Sequence, residues 1–291
     1  MAVETNTIVT TDLAPEITID HIEKLVSGIN SVRTILGINT MKPMAAGTTV
    51  YQYKYTKKNT PAQVAEGEVI PLTEYTRAKT AVAALELEKF RKQSTAEAIQ
   101  KFGKQVAIND TDDLLLKEVQ KSIKAKFFTT LAAGTGKATG SVVDLQHTLA
   151  SIWGAMQVYF ADVDVTPVYF VNPLDIADYL GGATITMQTA FGFTYVQNFL
   201  GLGTVIIDPS VAQKTVIATA QQNLNGVYVP ASGDVASTLG LSFDSTGMVG
   251  MKHFTADDRA SVDTLLVSGA WFYAEDKGGI FSAKITPAAG A

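Results

Sequence analysis

The chain has 291 residues, of which 46% are apolar and 18% charged, a net charge of −5, and no cysteine. The length suits one large domain or two lobes, the missing cysteine excludes disulfides, cysteine–zinc sites and thiol catalysis, and cations too scattered to neutralise a run of phosphates argue against tight nucleic-acid binding. Charge below the ~25% of an ordinary soluble domain, with no apolar run long enough for a bilayer, suggests that much of the surface faces other protein, partner subunits first, with small exposed Thr, Ser, Ala and Gly as the plainer alternative.

The opening MAVETNTIVTTDLAPE has no basic stretch ahead of an apolar core, so it does not read as a secretory signal. It reads as an extended arm. Over 17–36, the apolar Ile22, Leu25, Val26, Ile29 and Ile35 predict a helix that Gly37 stops. Arm and helix have little of their own to fold around and are expected on a neighbouring subunit.

In TTVYQYKYTKKN, Tyr51, Tyr53 and Tyr55 alternate with Val50, Gln52 and Lys54, the two-residue period of a strand. KTAVAALELEKFRK predicts its mate, with Ala83, Leu85 and Leu87 on one face and Glu86 and Glu88 on the other. Between them runs a long segment with Pro61, Gly67 and Pro71, read as a polar tip with no apolar cluster large enough for an independent core. Such a hairpin is marginal in water unless something packs on it. Its expected contacts with a neighbour are Tyr51, Tyr53, Lys57, Lys58, Glu66, Glu68, Tyr75 and Arg77.

NDTDDLLLKEVQKSIKAKFFTTLAAG predicts the longest helix, from about Asp112 to Leu131. Leu115, Val119, Ile123 and Phe127 mark its core side, and Lys117, Lys121 and Lys124 another face. Asp110, Asp112 and Asp113 at its start read as capping that complements the helix dipole. The following LAAGTGKATG has a glycine-flanked lysine, as phosphate cradles do. With Lys137 as the cradle lysine, however, the leading glycine falls on Leu131 and the magnesium hydroxyl on Ala138. A helix-ending loop is the reading that fits.

Leu145, Leu149, Ile152, Trp153, Met156 and Phe160 predict one side of a second amphipathic helix. VTPVYFVNPLDIADYLG predicts a buried strand over 168–171 and a short helix opened by Asn172-Pro173; GTVIIDPS, KTVIATAQQN and GVYVPASG predict further strands. TLLVSGAWFYAEDKGGIFSAKIT reads as two antiparallel strands turning at 276–279. The class is α+β.

Catalytic patterns are missing. His21, His147 and His253 lie far apart, outside any H-E-x-x-H pair, and read as surface or interface residues. No G-x-S-x-G occurs, and Asp162/Asp164 and Asp257/Asp258 read as loop acids. FLGLGTVI lacks the third glycine of a dinucleotide fingerprint and leads into a strand. No catalytic, cofactor or metal site is expected.

The order of elements, with EGEVIPLTEYTRAKT, FRKQSTAEAIQKFG, FVNPLDIADYLGGATITMQTAFGFTYVQNFLGLGTVI, IATAQQNLNGVYV and HFTADDRASVDTLLVSGAWFYAEDKGGIFSAKI, resembles the major capsid proteins of tailed bacteriophages, the Hong Kong 97-type fold, in a Gram-positive phage style. The resemblance covers nearly the whole chain. It implies an N-terminal arm (1–47), an extended β-hairpin loop over a neighbour (48–92), a peripheral domain with the spine helix (93–140), an axial domain (141–250) and return strands of the peripheral domain (251–291). It further implies pentamers and hexamers forming an icosahedral head around packaged double-stranded DNA, assembled in the host bacterial cytoplasm and resident in the virion. Portal protein and decoration proteins are implied partners; sequence-specific nucleic-acid binding and membrane association are not. The family's type member has a long N-terminal scaffolding segment where this chain has a short arm. Either scaffolding is a separate protein, which Met1 favours, or this is the mature product. The type member's lysine–asparagine cross-link is not carried over to Lys57, Lys58 or Asn59. An encapsulin-type compartment shell shares the fold, and a non-capsid interaction protein or a hydrolase with an unrecognised site are rivals of other classes.

Overall fold

The computed structural model describes residues 23, 25–38, 41–58, 64, 66–70, 72–138, 143–161, 164–181, 187–190, 193–243 and 245–286. The extended arm, His21, Ile22, Asn59, Pro61, Pro71 and Asp162 lie outside them. Helix α1 (residues 25–35) buries Leu25, Val26, Ile29 and Val32, and its stripe continues through Leu36 and Ile38. These side chains belong to the main core of their own chain, in one cluster with Val119, Ile123 and Phe127. The helix therefore folds on its own subunit, not on a neighbour. Leu25, Val26, Ile29, Val32 and Leu36, at helical spacing, make too wide a stripe to leave uncovered. Gly37 ends it at φ 71°, where a Cβ would lie 2.5 Å from the Gln221 side chain.

Strand β1 (Met41–Pro43) is followed by the pair β2 (Thr49–Lys57) and β3 (Tyr75–Ala84), and then by β4 (Glu88–Thr95). The expected single strand through Leu85 and Leu87 is thus two strands, in two sheets. Leu85 breaks it: fully buried, it clusters with Val50, Val227, Val229 and Trp271, and its backbone bonds to Gly47 and Thr48. Helix α2 (Ala96–Lys104), capped by the Thr95 hydroxyl, has only Ile99 and Phe102 as large apolar residues and buries neither, so its sequence gives little sign of it. Gly103 breaks its geometry at φ 83°. A π-helical turn, Gln105–Asp110, leads into α3 (Thr111–Ala132). Carbonyls loosened at that junction are caught by side chains of β4: Ser94 Oγ donates to Ala107 O at 2.7 Å and Lys92 Nζ to Ile108 O at 2.6 Å.

Leu115, Val119, Ile123 and Phe127 of α3 are all buried, with Leu116, Phe128 and Leu131 beside them. The Phe127 ring stands edge-on to Phe170 at 5.5 Å, Phe128 at 5.7 Å and Phe272 at 6.4 Å. Phe127→Ala is expected to cost ~3–5 kcal/mol through the cavity it leaves. Lys121→Gln, at an exposed position, should stay within ~0.5 kcal/mol. Denaturant midpoints of the two variants check this; equal shifts would contradict it.

Next come β5 (Gly136–Lys137), α4 (Leu145–Tyr159), β6 (Pro167–Val171), α5 (Pro173–Gly181), β7 (Gln188–Ala190), β8 (Phe193–Phe199), β9 (Gly203–Ile207), β10 (Thr215–Ala220) and β11 (Leu224–Tyr228). The chain closes with α6 (Asp234–Leu239), β12 (Ser242–Phe243), β13 (Val249–Ala256), β14 (Ser261–Ser268), β15 (Ala270–Ala274) and β16 (Ile280–Lys284). A seven-stranded sheet runs β5-β16-β10-β6-β9-β8-β7. Its central β6 is apolar throughout because both faces are covered. Val168 and Phe170 join the core with α3, while Tyr169 and Val171 join Leu145, Leu149, Ile152 and Met156 of α4. Trp153 of α4, expected on that packed side, is exposed, since the stripe at 145, 149, 152 and 156 already fills it. Gly203 approaches β6 so closely that a Cβ would lie 2.3 Å from Pro167 O. The glycines of FLGLGTVI thus serve the β8–β9 connection and this contact.

The remaining sheets are β12-β13-β14-β4, all antiparallel, and β1-β11-β15, with β1 parallel to β11. The C-terminal region differs from the expected two-stranded hairpin. β14, β15 and β16 enter three different sheets, and 276–279 connects strands that do not pair. Asn223 holds this connection, accepting from Asp276 N at 2.7 Å and donating to Asp276 O at 2.9 Å. A linear strand pattern records alternation but not the partner.

The acids at the start of α3 also differ from their expected role. Asp110 makes no side-chain cap. Asp112 is fully buried, with Lys92 Nζ 2.7 Å and His253 Nε2 2.8 Å from its two oxygens. His253 is therefore no free surface residue; it links β13 to α3, as Lys92 links β4. Burial pushes the Asp112 carboxyl upward, but hydrogen bonds from His253 and Lys92, with their charge, outweigh it and hold it below the usual carboxylate range. Burial lowers Lys92, against the pull of Asp112. One strand further along, the Arg91 hydrogen bond holds the Asp263 carboxyl low. Lys124, expected on a solvated face, lies 2.5 Å from the buried Asp208 carboxylate.

Candidate assembly surface

Strands β2 and β3 pair antiparallel from Thr49↔Ala84 out to Lys57↔Tyr75, with a bulge between Val50 and Tyr51. They form a sheet of two, joined to no other strand among the described residues. Among the described residues its root joins a buried cluster through Val50 and Leu85. A two-stranded hairpin of this kind is not independently stable, so other contacts must stiffen it. The Arg77 guanidinium sits 3.4 Å over the Tyr53 ring and the Lys79 ammonium 3.5 Å over Tyr51. Each such pair contributes ~0.5–1 kcal/mol at an exposed site. At the outer end Lys58 Nζ meets Glu74 Oε2 at 2.9 Å. That pair is well exposed and contributes ~0–1 kcal/mol.

All eight residues expected to contact a neighbour, Tyr51, Tyr53, Lys57, Lys58, Glu66, Glu68, Tyr75 and Arg77, are exposed on this hairpin. Sequence reasoning missed the character of the tip. Val69, Ile70 and Leu72 are 91%, 73% and 87% exposed. They make an apolar end between Glu68 and Glu74, not a purely polar one. The signal was present: three large apolar residues fall within four positions of EGEVIPLTEY, whose proline and acids suggested a solvated turn.

Other places where chemistry was sought carry structural roles. β5 lies parallel to β16, and Lys137 Nζ reaches Ser282 Oγ at 3.0 Å. Gly134 and Gly136 pack so tightly on Ile280 that a Cβ would lie 2.6 Å from its atoms. The glycines fit a strand edge into the sheet. Lys137→Ala is expected to leave folding within ~0.5 kcal/mol of wild type and assembly intact; ATP hydrolysis abolished by it would contradict this reading. Beside α1 run two open grooves of about 520 and 340 Å3. Ser31 and Thr34 line both, but their hydroxyls donate back to Ser27 O and Asn30 O. Among the described residues no histidine or lysine lines either groove. His147 on α4 pairs with the capping Asp144 at 2.8 Å. Among the described residues no group of three His, Cys, Asp or Glu side chains is placed to hold a metal ion, and no helix is long and apolar enough to cross a membrane.

No protein-family model matches the chain, and no curated protein matches its sequence. Solved structures do match its fold. A chain from Gordonia phage Cozz superposes with a TM-score of 0.54 at 13% identity, covering 87% of each chain. The capsid of the cyanophage P-SCSP1u gives 0.52 at 8% identity, covering 86% of each. The SrpI encapsulin of Synechococcus elongatus PCC 7942 gives 0.52 at 10% identity, covering 99% of this chain and 92% of that one. The chain has the fold of phage capsid and encapsulin shell proteins. It is a mixed α+β fold, as its sequence implied, at identities where sequence alone records little of the likeness.

Proposed function

We propose that this chain is the major structural subunit of a tailed-phage head, of Hong Kong 97 type, assembling as pentamers and hexamers around a packaged double-stranded DNA genome. The observation that carries this reading is a hairpin with an exposed apolar tip and no partner sheet among the described residues of its own chain, on a fold shared with capsids. A shell subunit needs contacts repeated many times, so individually modest ones suffice. In this proposal residues 48–84 are the extended loop, shortened at its end because β4 belongs to the four-stranded sheet. α3 is the spine helix. Residues 141–250 supply most of an axial domain, and β16 joins its sheet, so 251–291 is not one returning unit. Portal, scaffolding and decoration proteins are the partners proposed, with the virion as the site of residence. The net charge of −5 suits a lining that does not grip DNA. No enzymatic role is proposed.

The encapsulin likeness, which spans 99% of the chain, favours one second reading, a compartment shell enclosing proteins. Electron microscopy and sedimentation of the purified protein, alone and with the phage's scaffolding protein, test the proposal. Closed shells or rings of five and six are expected. A monomer at every concentration, with and without scaffold, would refute shell formation under either reading. Shells that recruit a host enzyme in place of DNA would favour the compartment.

A further inference from the structure

Resting on the reading of this chain as a shell subunit, we infer that Asn223 and Asp276 form a lock at a two-chain bend. The lock sets the angle between the seven-stranded and three-stranded sheets, and through it the curvature at which copies assemble. Strands β10 and β16 pair antiparallel in the larger sheet, up to Thr219↔Ile280. Their continuations β11 and β15 pair antiparallel in the smaller one, from Leu224↔Ala274 onward. Residues 220–223 and 275–279 thus cross between the sheets side by side, one chain outward and one back. Such short connections are where a hinge forms, because a few residues there absorb the change in φ and ψ.

Here the hinge is tied. Asn223 O accepts from Glu275 N at 2.7 Å, besides the two bonds that the Asn223 side chain makes to the Asp276 backbone. The Asn223 amide also donates to Thr219 Oγ1 at 2.9 Å, and that hydroxyl donates to Gly279 O at 2.9 Å. Asn223 and Thr219 are buried, so opening the bend strands their polar groups away from water. The Asp276 side chain holds the outer flank. One of its oxygens accepts from Gly278 N at 2.8 Å and the other from Tyr159 Oη at 2.6 Å. Tyr159 ends α4, and the next residue, Phe160, lies so close that a Cβ on Gly279 would be 2.6 Å from its ring.

Tilt is therefore opposed in both directions. On one side Phe127 of α3 packs on both sheets, through Phe170 of β6 and Phe272 of β15. On the other face of the larger sheet, α4 reaches the bend through Tyr159, whose ring stands edge-on to Phe281 of β16 at 5.5 Å. Copies in a shell touch through different parts of the chain, so the angle between those parts enters the rotation from each copy to the next. That rotation decides whether a ring closes and at what size. A fixed angle selects one closure, and a loose one admits several.

Because the chain has no cysteine, the angle can be measured directly. Lys42→Cys on β1 and Lys284→Cys on β16, both exposed positions, carry spin labels in dissociated subunits, and pulsed dipolar spectroscopy gives the distances between the two sheets. Asp276→Ala is expected to broaden or shift that distribution. Asp276→Asn, which keeps a polar partner for both Gly278 N and Tyr159 Oη, should leave it near wild type. Tyr159→Phe, the milder change, should speed hydrogen exchange of the Gly278 amide about tenfold, the worth of one hydrogen bond to a charged group. Electron microscopy should find shells of mixed diameter from the Asp276→Ala chain. Unchanged distances and exchange overturn the lock. Changed distances with shells of a single, wild-type diameter overturn its part in curvature. A chain that forms no shell before any substitution counts against the shell reading, and the distances then judge the lock by themselves.

Discussion

Asp112→Asn should lower folding stability by ~3–5 kcal/mol, the cost of removing one member of a buried ion pair. The carboxylate is fully buried, and its partners Lys92 and His253 come from β4 and β13. Asparagine preserves shape but leaves the Lys92 ammonium without a counter-charge. Replacing all three members with apolar residues, Lys92→Met, Asp112→Leu and His253→Leu, should cost less than the single change, because no uncompensated charge remains. The pH dependence has a definite sign. The folded carboxyl lies below its ordinary value of 3.8, so the unfolded chain binds the proton more readily. The contribution is therefore complete above that value and is lost as pH falls through the folded one. Asp263, also held low, acts in the same direction. Urea midpoints of dissociated subunits at neutral and acid pH measure both effects. Asp112→Asn should lose less stability than wild type on acidification. An unchanged neutral midpoint would show that the cluster does not hold β4, α3 and β13 together.

The same cluster shows where sequence reasoning stops. Leu115, Val119, Ile123 and Phe127 were recognisable because helical spacing encodes one face of a helix. β6 was recognisable because a short apolar run bounded by proline and asparagine suits a buried strand and is too brief for a buried helix. Asp112 carries no such mark. Three acids at a helix start look like capping, and nothing local says that Lys92 and His253, 20 and 141 positions away, converge on the middle one. The division between β3 and β4 was hidden for a related reason. Alternation continues through Leu85, while the partner strand changes from β2 to β14. The C-terminal strands repeat the problem, since β14, β15 and β16 each alternate acceptably and each joins a different sheet. Periodicity fixes which way a side chain faces along its own strand. Long-range pairing fixes the sheet.

Replacing residues 58–74 by Asn-Gly should leave a folded subunit that forms no closed shell. Lys57 and Tyr75 are the last paired residues of the hairpin, so a two-residue turn joins the strands in their existing register. The Val50 and Leu85 anchor is untouched, as are the Arg77–Tyr53 and Lys79–Tyr51 stacks. What disappears is the apolar end with Val69, Ile70 and Leu72 and the acids around it. None of these belongs to the core clusters, so the circular dichroism spectrum and thermal midpoint should stay near wild type. Assembly should respond far more strongly, because a loss at one contact recurs at every equivalent contact in a shell. Reversing Glu66, Glu68 and Arg77 individually should shift the assembly threshold in the same direction but less, as exposed charges contribute ~0–1 kcal/mol each. Electron microscopy should then find loose rings or single subunits in place of shells. Wild-type shells would remove the hairpin from the assembly mechanism. An unfolded product would place the tip in the subunit's own stability, against the exposure of its side chains.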